Sequence, residues 1–273
     1  MKFNHTDQTN NPLASPKQYG DTTFKISGTP LEVLQALAYV KALGGGHVRI
    51  GMGLLPAKSL YYKGQFSTPE WAGRLNQEDF DIICTLAQNQ KWVKSIEPWN
   101  GELVDIDFDK VDYTTDMDNR FNMHPMDRFG KVAKVHWTGW QTVRLNSWLD
   151  IPAIPGRPTG KGIIFTGTGW EAREVYPHWA QQGIAQASIF LGTDQEYEDF
   201  VAVTGMAMDH QPVSHVGELA QWIESMQQII CTPGWGAAIA QALNKRLLVQ
   251  SLPEVETWRN PYVLSERGNC STF

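Results

Sequence analysis

Residues 23 to 50 read TFKISGTPLEVLQALAYVKALGGGHVRI, and this stretch limits the fold more than any other in the chain. A short alternating run over residues 23 to 27 predicts a strand. Leu31, Leu34, Leu37, Ala38 and Val40 then recur at helical spacing, Gly44 to Gly46 stop the helix, and HVRIGMG starts a second strand. Strand, helix and strand within about 30 residues form a βαβ unit, whose two strands have to lie parallel.

The alternation continues. NQEDFDIICTLAQNQKWV predicts a helix and KSIEPW a strand; Val104, Ile106 and Phe108 alternate at strand period, and MDRFGKVAKVHW predicts another helix. Three prolines and three glycines then crowd into residues 151 to 162, IPAIPGRPTGKG, which marks a hinge. Beyond it come the strand GIIFTGTG, the short helix AREVYPHWAQQG, the strand ASIFLGTD, the helices EYEDFVAVTG and GELAQWIESM, the strand QIICTPG, the helix AAIAQALN and the strand RLLVQS. The expectation is an α/β protein: a flexible polar arm over 1–22, an N-terminal domain over 23–152 and a C-terminal domain over 153–273. Each domain would hold a doubly wound, Rossmann-like sheet, and the two would face a cleft with ligands at the carboxyl ends of the strands.

With 42% apolar and 19% charged residues the chain is globular, and a net charge of −6 argues against a general nucleic-acid coat. No apolar run of the roughly 18 residues that a membrane-spanning helix needs is present, and no apolar signal-peptide core is seen in the polar N-terminus. Three widely spaced cysteines, Cys84, Cys231 and Cys270, fit a reducing compartment better than a disulfide framework. A cytoplasmic location is therefore expected. Neither these cysteines nor His124, His136, His178, His210 and His215 show metal-ligand spacing, and GRPTGK lacks the length and ending of a phosphate-binding P-loop.

Two glycine loops follow strands of the second domain. Thr166, Gly167, Thr168 and Gly169 offer backbone N–H groups and hydroxyls to a diphosphate. The loop in IICTPGWGAAIA, with Thr232, Gly234, Trp235 and Gly236 ahead of Ala237 and Ala238, leads straight into a helix whose first turn carries unpaired donors. The alternative is an ordinary strand-to-helix corner with Trp235 in the core.

The segments ISGTPLEVLQALAYVKALGGGHVRI, ASIFLGTDQEYEDFVAVTG and ELAQWIESMQQIICTPGWGAAIAQALNKRLLVQSLP resemble a bacterial and phage group related to the ADP-heptose heptosyltransferases of glycosyltransferase family nine. The resemblance covers roughly a third of the chain, in the expected order. It implies the two-domain GT-B architecture, with the acceptor domain first and the nucleotide-sugar domain second. The implied activity is metal-independent, inverting transfer of a sugar from a nucleoside diphosphate donor to a hydroxyl, with no cofactor and an N-terminal carboxylate as general base.

Departures from the group's pattern set the alternatives. Leu31-Glu32 replaces its Gly-Asp, and the extra methylene shifts the carboxylate by about 1 Å, a misplacement that can slow chemistry about 100-fold. Glu32 is thus either the base or a first-turn acid complementing the helix dipole. Asp107, in the acidic run of Asp105, Asp107, Asp109, Asp112, Asp116 and Asp118, matches the group's acidic strand and is the alternative base. Arg173 is the nearest match to its donor-phosphate cation, and TPGWG lacks its Ser.

On the acceptor side stand Arg120, which matches a group arginine, His124 and Arg128. Arg120, Arg128, Lys131, Lys134 and Arg144, interleaved with Trp137 and Trp140, either line a groove for a flipped base in modified phage DNA or form a basic surface helix. Glu196 reads as a helix-start acid behind a Thr193 or Asp194 cap, the alternative being a contact near the nucleotide. The acceptor is accordingly a saccharide or a hydroxymethylated base, and a phage-encoded member would act in the host cytoplasm. The second reading is a nucleotide or nucleotide-sugar binding protein that keeps the fold without the chemistry.

Overall fold

A computed structural model describes residues 21–54, 75–110, 126–136, 139–140, 142–143, 146–156, 159–165, 188–232, 234–249 and 270–272. The chain divides into two compact units. One comprises Met1–Phe80 and Gln88–Leu145, the other Asp81–Ala87 and Asn146–Phe273.

In the first unit, β1 (Thr23–Ser27) runs into α1 (Pro30–Ala42) and then β2 (Gly46–Gly51). Next come α2 (Gln77–Ala87), β3 (Val93–Pro98), the two-residue β4 (Ile106–Asp107), a 3₁₀ turn over Phe108–Lys110 and α3 (Asp127–Val132). The strands form one parallel sheet in the order β3-β2-β1-β4. Helix α1 begins with a reciprocal capping box: the Glu32 N–H donates to Thr29 Oγ1 at 3.1 Å and the Thr29 N–H donates to Glu32 Oε2 at 2.7 Å. Phe24 of β1 stacks on Phe108, whose edge meets Phe129 of α3.

The alternation in TFKIS and HVRIG separates the two faces of this sheet. Phe24, Ile26, Val48 and Ile50 are fully buried on one. On the other, register places Lys25 between Asp107 and Arg49, with Glu97 beyond Arg49. Parallel sheets normally hide apolar side chains on both faces, so a row of charge across four strands is an anomaly that sets up the site below.

The second unit holds β5 (Lys161–Ile164), β6 (Ser188–Gly192), α4 (Asp194–Thr204), β7 (Asp209–Pro212) and α5 (Val216–Ser225). It continues through β8 (Gln228–Cys231), α6 (Trp235–Ala242), β9 (Arg246–Val249) and β10 (Cys270–Thr272). All its strands are parallel, in the order β10-β9-β8-β5-β6-β7. Ile163, Phe165, Phe190, Phe200 and Ile230 form one cluster of its core, with Tyr197, Val201, Met206, Met208 and Leu248 packed against it. Helix α4 repeats the capping box of α1, with Thr193 and Glu196 in the roles of Thr29 and Glu32.

Several elements differ from the sequence reading. The 76–93 helix ends at Ala87. The strand expected around Val104 to Phe108 shrinks to Ile106–Asp107, because Phe108 turns into a 3₁₀ helix and buries its ring. Strand β7, with sequence DHQP, lies at the sheet edge and carries no apolar alternation.

Candidate functional site

Strand order fixes where each unit can take a ligand. In the first sheet the chain lays down β1, β2 and β3 in one direction and then returns to place β4 on the other side of β1. In the second it lays down β5, β6 and β7 and then returns with β8, β9 and β10 on the other side of β5. Such reversals open a crevice at the carboxyl ends of the two strands that flank them, β1 and β4 in one unit and β5 and β8 in the other.

The β1–β4 edge is acidic and tightly wired. The Ser27 N–H donates to Asp109 Oδ1 at 2.8 Å, and Lys25 Nζ meets Asp109 Oδ2 at 2.8 Å. The Asp109 N–H donates to Asp107 Oδ1 at 3.1 Å, and Lys25 Nζ lies 4.0 Å from that same oxygen. Both Asp109 oxygens are therefore engaged and its side chain is 14% exposed. Asp107 is 24% exposed, and its Oδ2 has no partner among the described residues. Above Lys25 lies the Trp99 ring, 3.9 Å from Nζ, anchored by its Nε1–H donating to Glu102 O at 2.9 Å. Backbone N–H groups of Glu102 and Asn100, helped by Arg49, hold the Glu102 carboxyl below its ordinary value.

Glu32 occupies the same carboxyl edge in a different condition. It is 5% exposed and caps its own helix, which fits the first-turn acid reading. Gly28 makes room for it: φ there is +113°, and a Cβ would run into the Glu32 carboxylate.

The β5–β8 edge is chemically opposite. Thr232 N–H donates to Ile164 O at 3.3 Å, tying the end of β8 to the end of β5. Gly234, with φ +151°, is the N-cap of α6 and contributes no side-chain hydrogen bond. Gly236 lets the helix lie against β5, since a Cβ there would come within 2.8 Å of Ile164 Cγ2. Helix α6 has no acidic residue in its first turn, whereas α1, α2, α3, α4 and α5 carry Glu32, Glu78 and Asp79, Asp127, Asp194 and Glu196, and Glu218 there. Trp235 is half-buried rather than a core residue.

Other sequence candidates separate on inspection. Thr166, Gly167, Thr168, Gly169, Arg173, Arg120 and His124 lie outside the described residues, as do Asp112, Asp116, Asp118, Trp137, Arg144 and His178. Arg128 corrects the picture of a basic surface helix: it is 6% exposed, because α3 buries Asp127, Arg128, Phe129 and Gly130. Lys131 and Lys134 are exposed. Trp140 donates its Nε1–H to Val135 O at 2.9 Å. Glu196 serves as the α4 capping acid.

Sequence reasoning missed Lys25 and Asp109; the available signal was a lysine in the middle of a strand whose sheet should be buried. Among the described residues no group of three or more His, Cys, Asp or Glu is arranged for a metal ion, and no helix is long and apolar enough to cross a membrane.

No protein-family profile and no curated protein sequence matches the chain. Solved structures do. A glycosyl transferase of family nine from Veillonella parvula is similar over 96% of this chain and 87% of its own, at 10% identity and a TM-score of 0.56. E. coli heptosyltransferase WaaC with ADP is similar over 86% and 88%, at 11% identity and a TM-score of 0.49. E. coli ADP-heptose heptosyltransferase II is similar over 93% and 90%, at 9% identity and a TM-score of 0.48. The chain thus shares the two-unit α/β fold of the Veillonella protein.

Proposed function

We propose that this protein is a glycosyltransferase that moves a sugar from a nucleoside diphosphate donor to a hydroxyl acceptor, inverting and metal-independent as the family-nine resemblance implies. The observation that carries the reading is the contrast between the two crevices: one offers a carboxylate with an oxygen that has no partner among the described residues, the other a helix N-terminus without an acid. An incoming hydroxyl needs a proton acceptor, and a departing diphosphate needs donors and positive potential.

Asp107 is the base in this scheme. Its Oδ2 has no partner among the described residues while Oδ1 is held by the Asp109 N–H, whereas Glu32 is engaged in a buried cap. The β8–α6 loop, with Thr232, Gly234, Trp235 and Gly236, receives the diphosphate. Thr166, Gly167, Thr168, Gly169 and Arg173 stay assigned to the same donor, and Arg120 and His124 to the acceptor side. A saccharide is the favoured acceptor, since the net charge is −6 and the burial of Arg128 removes a cation from any groove for modified DNA. The departures at Leu31-Glu32 and TPGWG support the second reading, a nucleotide-sugar binding protein without chemistry.

Incubation of the whole chain with a panel of nucleoside diphosphate sugars and saccharide acceptors, with released nucleoside diphosphate quantified, tests the proposal. Turnover in the native protein that drops by about 100-fold or more in D107N is the expected outcome. Tight donor binding without release or transfer establishes the binding protein instead.

A further inference from the structure

We propose that Lys25 is the positioning residue for the base: held between Trp99 and Asp109, it fixes Asp109 and, through the Asp109 backbone, the orientation of Asp107. This rests on the assignment of Asp107 above.

A lysine on a central strand of a parallel sheet is costly to bury and persists only when paired. Lys25 is 8% exposed, and among the described residues its ammonium meets Asp109 Oδ2 at 2.8 Å, Asp107 Oδ1 at 4.0 Å and the Trp99 ring at 3.9 Å. Stability alone is a poor reason for such an arrangement, because apolar residues of similar volume often hold a buried site as well or better. Geometry supplies a better one. Lys25 and the Ser27 N–H grip the two Asp109 oxygens, and the Asp109 N–H grips Asp107 Oδ1. Lys25 shares the hold on Asp109 with the Ser27 N–H and also lies 4.0 Å from Asp107 Oδ1, so the direction of Asp107 Oδ2 is set by a set of restraints in which Lys25 is the side-chain member. Lys25 itself touches no substrate in this scheme.

Four variants, K25M, D109N, K25M/D109N and D107N, test it, with melting temperature, kcat and KM for the nucleotide sugar, and amide hydrogen exchange at Asp109 as readouts. K25M is expected to lower kcat by about 10- to 100-fold, the effect of a displacement near 1 Å, and to leave KM for the donor within about 3-fold, as expected when only a chemical-step interaction is lost. The Asp109 amide exchanges faster in K25M while the Phe24 and Ile26 amides keep their protection, a signature that needs no turnover.

The double variant removes the lone buried carboxylate and so regains the melting temperature lost by K25M, yet its kcat stays low. Recovery of kcat together with stability in K25M/D109N would show that Lys25 only neutralises Asp109, and unchanged Asp109 exchange in K25M would show that Lys25 does not restrain Asp109. Failure of the base assignment looks different: D107N then turns over like the native protein, whatever K25M does, and the inference falls with it.

Discussion

Replacing Glu32 by glutamine separates the two carboxylates that compete for the role of base. Glu32 Oε2 accepts the Thr29 N–H at 2.7 Å while its own N–H donates to Thr29 Oγ1, and a capping box accepts Gln in place of Glu. E32Q therefore keeps both capping bonds and removes the charge. A charge-assisted bond worth about 1.5–3 kcal/mol becomes a neutral one near 1 kcal/mol, and the favourable contact with the helix dipole, about 0.3–1 kcal/mol, is lost as well. Substitution by glutamine thus destabilises by about 1–3 kcal/mol.

E32A goes further, since the buried Thr29 N–H loses its acceptor, which costs about 1–3 kcal/mol beyond the lost charge. Each kcal/mol lowers the melting temperature by roughly 2–8 °C for units of this size. Circular dichroism melts read these shifts, and nucleoside diphosphate release from a donor panel reads turnover. The structure predicts a graded loss of stability, E32A below E32Q, with turnover of folded E32Q within a few-fold of the native rate. Removal of a true general base lowers turnover by about 10²–10⁴-fold. An E32Q that melts within 2 °C or so of the native protein but turns over 100-fold slower would refute the structural reading and make Glu32 the base.

The loop ahead of α6 yields a packing test. G236A gains roughly 0.5–1 kcal/mol of helix propensity but drives a Cβ to within 2.8 Å of Ile164 Cγ2, an overpacking worth about 1–3 kcal/mol. Net destabilisation near 1 kcal/mol is expected, and the G236A/I164A pair should lose at least about 0.5 kcal/mol less than the sum of the singles; strict additivity in denaturant melts would mean that the helix does not lie against β5. Cys84 supplies a pH test. Burial first, and Asp81 second, push its thiol up from the ordinary value. The resulting stability is present below the unfolded thiol value and is lost as pH rises through the raised folded value. Peptide-level mass spectrometry after iodoacetamide treatment at pH 8.5 should show Cys84 reacting more slowly than a small free thiol; an equal or faster rate would contradict its placement on α2.

Elements legible in the sequence were those whose apolar residues recur at the period of the element. Leu31, Leu34, Leu37, Ala38 and Val40 mark α1, although Glu32, Gln35 and Tyr39 between them are buried as well, and IFLG and IIC mark β6 and β8 as apolar runs. DHQP failed because an edge strand needs ladder bonds on one side only and carries no obligatory apolar face. The basic-helix expectation around Arg128 failed for a related reason. Helix α3 itself is six residues long, and tertiary packing around Phe129 decided the burial of Arg128. At the candidate site, Asp107 stood out only through the resemblance to the family's acidic strand; the acidic run itself reads as a solvated face, and Asp109 looked no different from its neighbours. Nothing local marks it as the partner of a lysine 84 positions earlier in the chain, since β1 and β4 meet only through the return crossover.

Two turns with the same local grammar also explain why the β8–α6 loop stands apart. Gly28-Thr29-Pro30-Leu31-Glu32 and Gly192-Thr193-Asp194-Gln195-Glu196 each end a strand, cap a helix and place a carboxylate on the N-terminal backbone donors. Such a helix has already satisfied its positive end from within the chain, and an approaching phosphate would meet like charge. Cys231-Thr232-Pro233-Gly234-Trp235-Gly236 departs from this grammar at every relevant place: no Ser or Thr at the N-cap, no Glu three residues on, and glycine where the helix nears β5. The serine expected in a phosphate loop is missing too. Its hydroxyl would have added one donor, whereas an internal glutamate would have put a negative charge in the anion's place. For binding a diphosphate the missing acid therefore matters more than the missing serine, and the loop that looks most degenerate by sequence keeps the electrostatic feature that an anion requires.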